Sequence, residues 1–102
     1  MKASKLRLTL YSREYCHLCQ DMLAALETMR GEYGGGFMID VVDVDADAAL
    51  QARYDELVPV LVAQVTGDVR ELCHYVLDAK AVHGYLGEIG LLPAAASDQL
   101  QP

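Results

Sequence analysis

Residues 6–31 pass from a strand-like pattern directly into a helical pattern, and two cysteines lie at the junction. Apolar and polar residues alternate over 6–11, which predicts a strand. From residue 16 to 31 apolar side chains recur at helical spacing, at Leu18, Met22, Ala25, Leu26 and Met29. The junction therefore places Cys16 and Cys19 at a helix N-terminus, where unpaired N–H groups and the helix dipole favour a thiolate over a thiol.

The rest of the chain continues as alternating strands and helices. A nearly continuous apolar run over 37–44 predicts a strand covered on both faces, parallel to the first. Asp45 is the expected N-cap of a second helix that Pro59 closes. Two further strands, 60–65 and 69–75, flank a turn at residues 66–68, and Asp78 caps a third helix that ends near Gly90. The sequence thus predicts an α/β fold in the order β-α-β-α-β-β-α, with helices covering a four-stranded mixed sheet.

The length and the net charge of the chain limit which classes of protein it can belong to. The chain has 102 residues, which suits one domain, expected over 1–92, with a flexible C-terminal tail over 93–102. No apolar run is long enough for a membrane helix or a secretory signal, so we expect a cytoplasmic protein. A net charge of −7 argues against nucleic acid or an anionic membrane as the partner, and we expect a monomer.

The spacing of Cys16 and Cys19 permits a reversible disulfide, because residues three apart on a helix lie on one side. Cys16 is expected to be the more exposed thiol and to attack a disulfide, and Cys19 to resolve the mixed disulfide. Zinc is the alternative, but it would need about two more ligands, and the candidates are Cys73, His74 and His83. Cys73 lies on an alternating strand and is better interpreted as a small buried hydrophobe, so no metal site is predicted.

Residues beside the cysteines are candidates for substrate binding. A protonated His17 would stabilise the Cys16 thiolate, although it could equally be a solvated helix residue. Arg13 could add positive potential or hold a substrate carboxylate, or be only a loop charge. Tyr15 is expected to form a wall beside the sulfurs.

The alternating aspartates at 43, 45 and 47 resemble the opening of a calcium loop, but Ala48 and Tyr54 occupy positions that such a loop needs for glycine and a ligand.

The segment Arg13-Glu14-Tyr15-Cys16-His17-Leu18-Cys19, followed by Val58-Pro59-Val60 and a glycine turn before the last helix, resembles the glutaredoxin-like branch of the thioredoxin-fold family. The resemblance covers about residues 5 to 90. It implies a thiol–disulfide oxidoreductase that reduces protein or small-molecule disulfides, with Cys16 as nucleophile. It also implies that Pro59 is cis and faces the sulfurs, and that the backbone of Val58 pairs with a bound thiol peptide.

The chain departs from the pattern of that family at several positions. His17-Leu18 replaces the usual Pro-Tyr, and residues that include Tyr75 and Val76 replace a Gly-Gly pair, while Asp78 still fits the position of the capping aspartate. Asp55 and Glu56 precede Pro59 and would repel the carboxylates of glutathione, which argues against glutathione as the thiol co-substrate; no other cofactor is predicted. The alternative function is a non-catalytic module of the same fold that binds a metal or iron–sulfur cluster, or docks partners, through the cysteines.

Overall fold

The computed structural model describes residues 6–65 and 68–93 of the chain. Its elements follow the predicted order: β1 (Leu6–Ser12), α1 (His17–Glu32), β2 (Phe37–Asp43), a 3₁₀ turn (Val44–Ala46), α2 (Ala48–Tyr54), β3 (Val60–Val65), β4 (Asp68–His74) and α3 (Ala79–Glu88). The predicted tail beyond Pro93 and the turn at Thr66-Gly67 lie outside the described residues. None of the helices within those ranges has the length and apolar character to cross a bilayer.

The four strands form one mixed sheet in the order β2-β1-β3-β4. Strand β1 runs parallel to β2 and antiparallel to β3, and β3 and β4 form an antiparallel pair. The predicted pairing of strands is therefore confirmed. The expectation that β2 is covered on both faces is wrong, because β2 is an edge strand in which Val41 is half exposed.

Alternate residues of the central strands point into two cores on opposite faces of the sheet. The larger core lies under α1 and α3 and includes Leu8, Leu10, Met22, Leu26, Leu61, Ala63, Val82 and Leu86. The smaller core lies under α2 and consists of Val44, Tyr54, Val60 and Val62. This division fits the period of two in β1 and β3, because successive side chains of a strand point to opposite faces of the sheet.

The second helix begins later than the sequence indicates. Asp47, not Asp45, is its N-cap and accepts hydrogen bonds from the backbone N–H groups of Ala49 and Leu50, at 2.8 and 3.2 Å. The carboxylate of Asp45 is instead paired with Arg13, at 2.7 Å. A contact with a distant residue thus takes the predicted cap away from the helix.

Candidate functional site

The register of the sheet brings three chain segments to one end of the molecule. Tyr11 of β1 pairs with Val60 of β3, and Val60 pairs in turn with His74 of β4. The loop after β1, which leads to the cysteines, therefore lies at the same end as the segment before β3 and the loop after β4. Pro59 and Tyr75 belong to these last two segments, so residues far apart in sequence lie at the same end of the strands.

Cys16 and Cys19 form a disulfide at the start of α1, with their Cα atoms 5.2 Å apart. Cys16 is the N-cap, and its Sγ accepts a hydrogen bond from the backbone N–H of Cys19 at 3.1 Å. The Cys16 residue is partly exposed, whereas Cys19 is 3% exposed. The cysteine at the helix start is therefore the more accessible of the two.

Pro59 is buried directly before β3, and the Val58-Pro59 peptide bond is cis, as the resemblance implies. The carbonyl of Pro59 accepts a hydrogen bond from the backbone N–H of Tyr75 at 2.9 Å. The hydroxyl of Tyr75 donates to the carbonyl of Glu56, also at 2.9 Å. These two hydrogen bonds, on either side of Val58, hold the loop after β4 against the segment that carries Pro59.

Arg13 ties the loop before the cysteines to two other segments. Its guanidinium donates to both carboxylate oxygens of Asp45, at 2.7 and 3.1 Å, and to a carboxylate oxygen and the carbonyl of Asp55, at 2.6 and 3.1 Å. The Arg13 guanidinium holds the pKa of Asp45 below its usual value, and the hydrogen bonds that it donates to Asp45 and Asp55 raise the pKa of Arg13. A substrate carboxylate at Arg13 would have to compete with both aspartates.

The other predicted substrate-binding residues differ in how far they reach into solvent. Tyr15 is 97% exposed, with a φ of 58° that non-glycine residues rarely adopt. His17 is exposed in the first turn of α1. Val58 is partly buried and packs against the core under α2. Tyr15 and His17 thus flank the exposed cysteine in sequence, and their roles with a substrate stay predictions.

A groove of about 220 Å³ opens beside the disulfide, between α1 and the loop after β4. Leu18, which lies between the two cysteines in sequence, lines it together with Asp21, Met22, Ala25, Tyr75, Val76 and Leu77. Sequence reasoning did not find this groove, because three of its seven lining residues come from a loop whose position depends on the Tyr75 hydrogen bonds. Asp21 and Leu18 could have been placed on one helix side from their spacing alone. A second hollow of about 500 Å³ lies along α2 and contains no cysteine.

The third cysteine lies outside this site. Cys73 in β4 is partly buried and packs against the larger core, and burial raises the pKa of its thiol. His74 contacts Glu71 at 2.8 Å, and His83 contacts the hydroxyl of Tyr33. Within residues 6–65 and 68–93, no three histidine, cysteine or acidic side chains come together as metal ligands would.

Comparisons with known proteins agree with this geometry. A family model described as a glutaredoxin-like domain matches residues 7–87. A protein of Nitrosomonas europaea solved by NMR is 36% identical, with a TM-score of 0.69, and the match covers 83% of this chain and 95% of that one. A crystallised structural-genomics target from X. campestris is 33% identical, with a TM-score of 0.59, over 79% and 96% of the two chains.

A more distant structure shows the same fold. The thioredoxin of Fasciola hepatica is 17% identical, with a TM-score of 0.62, over 82% of this chain and 80% of that one. At that identity the likeness shows the fold alone. No curated protein matches the chain. The resemblance and the fold class inferred from the sequence are both confirmed.

Proposed function

Because the chain belongs to the glutaredoxin-like family, we propose that it is a thiol–disulfide oxidoreductase that reduces protein or small-molecule disulfides. The observation that carries the proposal is the unequal exposure of the cysteine pair. Cys16, at the N-cap of α1, is partly exposed, while Cys19, one turn further along the helix, is buried. An exposed attacking sulfur and a protected resolving sulfur are what a dithiol mechanism requires.

In the reduced protein the proposed reaction begins at Cys16. Its thiol loses a proton to solvent, and the thiolate attacks one sulfur of the substrate disulfide. A bond forms between Cys16 and that sulfur, and the other substrate sulfur leaves as a thiolate. The Cys19 thiol then loses its proton to solvent, and its thiolate attacks the Cys16 sulfur, which releases the second substrate thiolate and closes the Cys16–Cys19 disulfide. The substrate gains two electrons and the protein loses two.

The N-cap position supports the first step. The backbone N–H of Cys19 already donates to the Cys16 Sγ, and the same N–H would donate more strongly to a thiolate. The helix dipole adds to this stabilisation because the sulfur lies at the positive end of α1. We therefore expect the reduced protein to keep Cys16 partly ionised at neutral pH.

The electron donor is proposed to be a thiol other than glutathione. Arg13 pairs with both Asp45 and Asp55, so these three charged groups together keep one net negative charge. The same ion pairs occupy Arg13, the cation three residues before Cys16, and Glu56 forms no ion pair within the described ranges. The carboxylates of glutathione therefore meet no unpaired cation in the loop before the cysteines.

Insulin reduction tests the proposal, with dithiothreitol, a glutathione system and a thioredoxin-reductase system as separate electron donors. The wild-type protein should accelerate reduction with at least one donor, and Cys16→Ser should abolish the acceleration. Cys73→Ser is the matched control and should retain it, because Cys73 lies outside the site. Cys19→Ser should accumulate a mixed disulfide at Cys16, visible by mass spectrometry.

The proposal would be contradicted if the wild-type protein accelerated insulin reduction with none of the three electron donors. The same would hold for equal activity in Cys16→Ser and Cys73→Ser. Metal analysis of anaerobically purified protein distinguishes the oxidoreductase from the alternative, a non-catalytic binding module. A bound ion or cluster that is lost in Cys16→Ser would favour the binding module.

A further inference from the structure

The groove beside the disulfide has the size and lining of a pocket for one or two side chains. Its volume of about 220 Å³ is below the range of about 300–1,000 Å³ typical of whole small-molecule sites. Six of its seven lining residues are apolar or aromatic. Leu18 and Tyr75 are each 44% exposed and Val76 is 64% exposed, so apolar surface faces solvent next to the reactive pair.

The walls of the groove are already fixed in the oxidised protein. One wall is α1 itself, and Met22 is fully buried beneath it in the larger core. The other wall is held by Tyr75, through its N–H bond to Pro59 and its hydroxyl bond to Glu56. Because both walls are anchored before binding, binding a side chain here would not carry the entropic cost of ordering a loop.

Charge in the groove has one sign. Asp21 is the charged residue of the lining. It takes part in none of the ion pairs within residues 6–65 and 68–93. The chain as a whole carries a net charge of −7. An acidic ligand would therefore be repelled at this edge of the sheet, whereas a basic group would find an unpaired carboxylate beside an apolar surface.

We propose that this groove selects protein disulfides in which the cysteine has an apolar neighbour and a basic neighbour. The apolar side chain packs between Leu18 and Val76, and the basic side chain pairs with Asp21. The inference rests on the proposed function and names its substrate class. Leu18 lines the groove from the first turn of α1, the turn that Cys16 caps, so the end of the groove at Leu18 lies within one helical turn of the attacking residue.

Model peptides test this selection in the reduced Cys19→Ser protein. Each peptide carries one cysteine activated as a mixed disulfide with thionitrobenzoate. Its two neighbours are leucine and lysine, leucine and glutamate, serine and lysine, or serine and glutamate, in both orders around the cysteine. Attack by Cys16 joins the peptide to the protein and releases coloured thionitrobenzoate, whose rate is divided by the rate of the same peptide with dithiothreitol.

The leucine–lysine peptide should react fastest. Replacing lysine by glutamate should lower the normalised rate constant about fivefold at low salt, the factor that corresponds to one exposed ion pair. The difference should shrink at high salt, because screening weakens exposed pairs. Replacing leucine by serine should lower the rate constant about tenfold, from the loss of partly buried apolar area.

Two variants of the protein assign the effect to the groove. Asp21→Asn should remove most of the difference between lysine and glutamate. Glu32→Gln is the matched control, because it removes one negative charge from the same helix roughly 16 Å away and should leave the difference intact.

Equal normalised rates for the four peptides would overturn the inference, as would a preference for lysine that persists in Asp21→Asn. If no peptide reacts at Cys16 above the background of the Cys16→Ser protein, the proposed function itself fails, and the groove with it. Reaction with every peptide at one rate would instead leave the proposed function standing.

Discussion

Replacing Tyr75 tests whether its side chain fixes the wall of the groove. Tyr75 has a φ of 68°, in the left-handed region that favours glycine. Glycine there would relieve about 1–2 kcal/mol of backbone strain. A simple expectation from the backbone is therefore that Tyr75→Gly stabilises the protein.

The contacts of the side chain point the other way. The hydroxyl bond to the Glu56 carbonyl contributes about 1 kcal/mol. The ring meets His74 edge-on, with centroids 4.6 Å apart, which contributes about 1 kcal/mol more. Glycine also adds about 0.4–1 kcal/mol of freedom to the unfolded chain. These losses exceed the relief of strain, so Tyr75→Gly should lower the free energy of unfolding by about 1 kcal/mol.

Urea titration of the oxidised proteins measures this change. Tyr75→Phe is the matched control, since it keeps the ring and the strained backbone and removes only the hydroxyl bond; it should cost about 0.5–1 kcal/mol. A Tyr75→Gly protein more stable than wild type would refute the reasoning, because strain would then outweigh the anchoring contacts. A Tyr75→Phe protein with unchanged stability would show that the hydroxyl bond contributes nothing.

Two further predictions concern the body of the fold. Leu86→Ala should lower the free energy of unfolding by about 2–5 kcal/mol in a denaturant titration, since Leu86 is fully buried on the inner face of α3, while Ile89→Ala, at a half-exposed site, should cost under 1 kcal/mol. Arg13 holds the pKa of Asp45 below its ordinary value of about 3.9. The ion pair therefore stabilises the fold at pH values above that ordinary pKa, and this stabilisation is lost as the pH falls through the lowered native pKa. Asp45→Asn should therefore lose less stability on acidification than wild type, and an identical acid profile would contradict the ion pair.

The elements that the sequence predicts well are those with local signals. The alternation over 6–11, the helical spacing after Cys16 and the capping position of Asp78 each depend on neighbours in sequence, and the structure confirms all three. The cysteine pair could be placed at a helix N-terminus for the same reason. The fold class followed from these local elements together with the rules of strand connection.

The features that the sequence did not predict depend on distant residues. Asp45 is the expected cap of α2, but Asp47 caps the helix, and the carboxylate of Asp45 pairs with Arg13, more than thirty residues earlier. The exposed side of β2 follows from its place at the edge of the sheet, which an apolar run does not reveal. The groove is closed by hydrogen bonds between Tyr75 and the segment before β3, so it too required the assembled sheet.

The ionisation of Cys16 in the reduced protein tests the central claim most directly. The rate of alkylation of Cys16 by iodoacetamide, followed against pH in the Cys19→Ser protein, reports the fraction of thiolate. We predict a midpoint well below the ordinary cysteine pKa of about 8.5, because the helix N-terminus and the N–H of Cys19 stabilise the anion. A midpoint at or above that ordinary value would contradict the assignment of Cys16 as the attacking nucleophile.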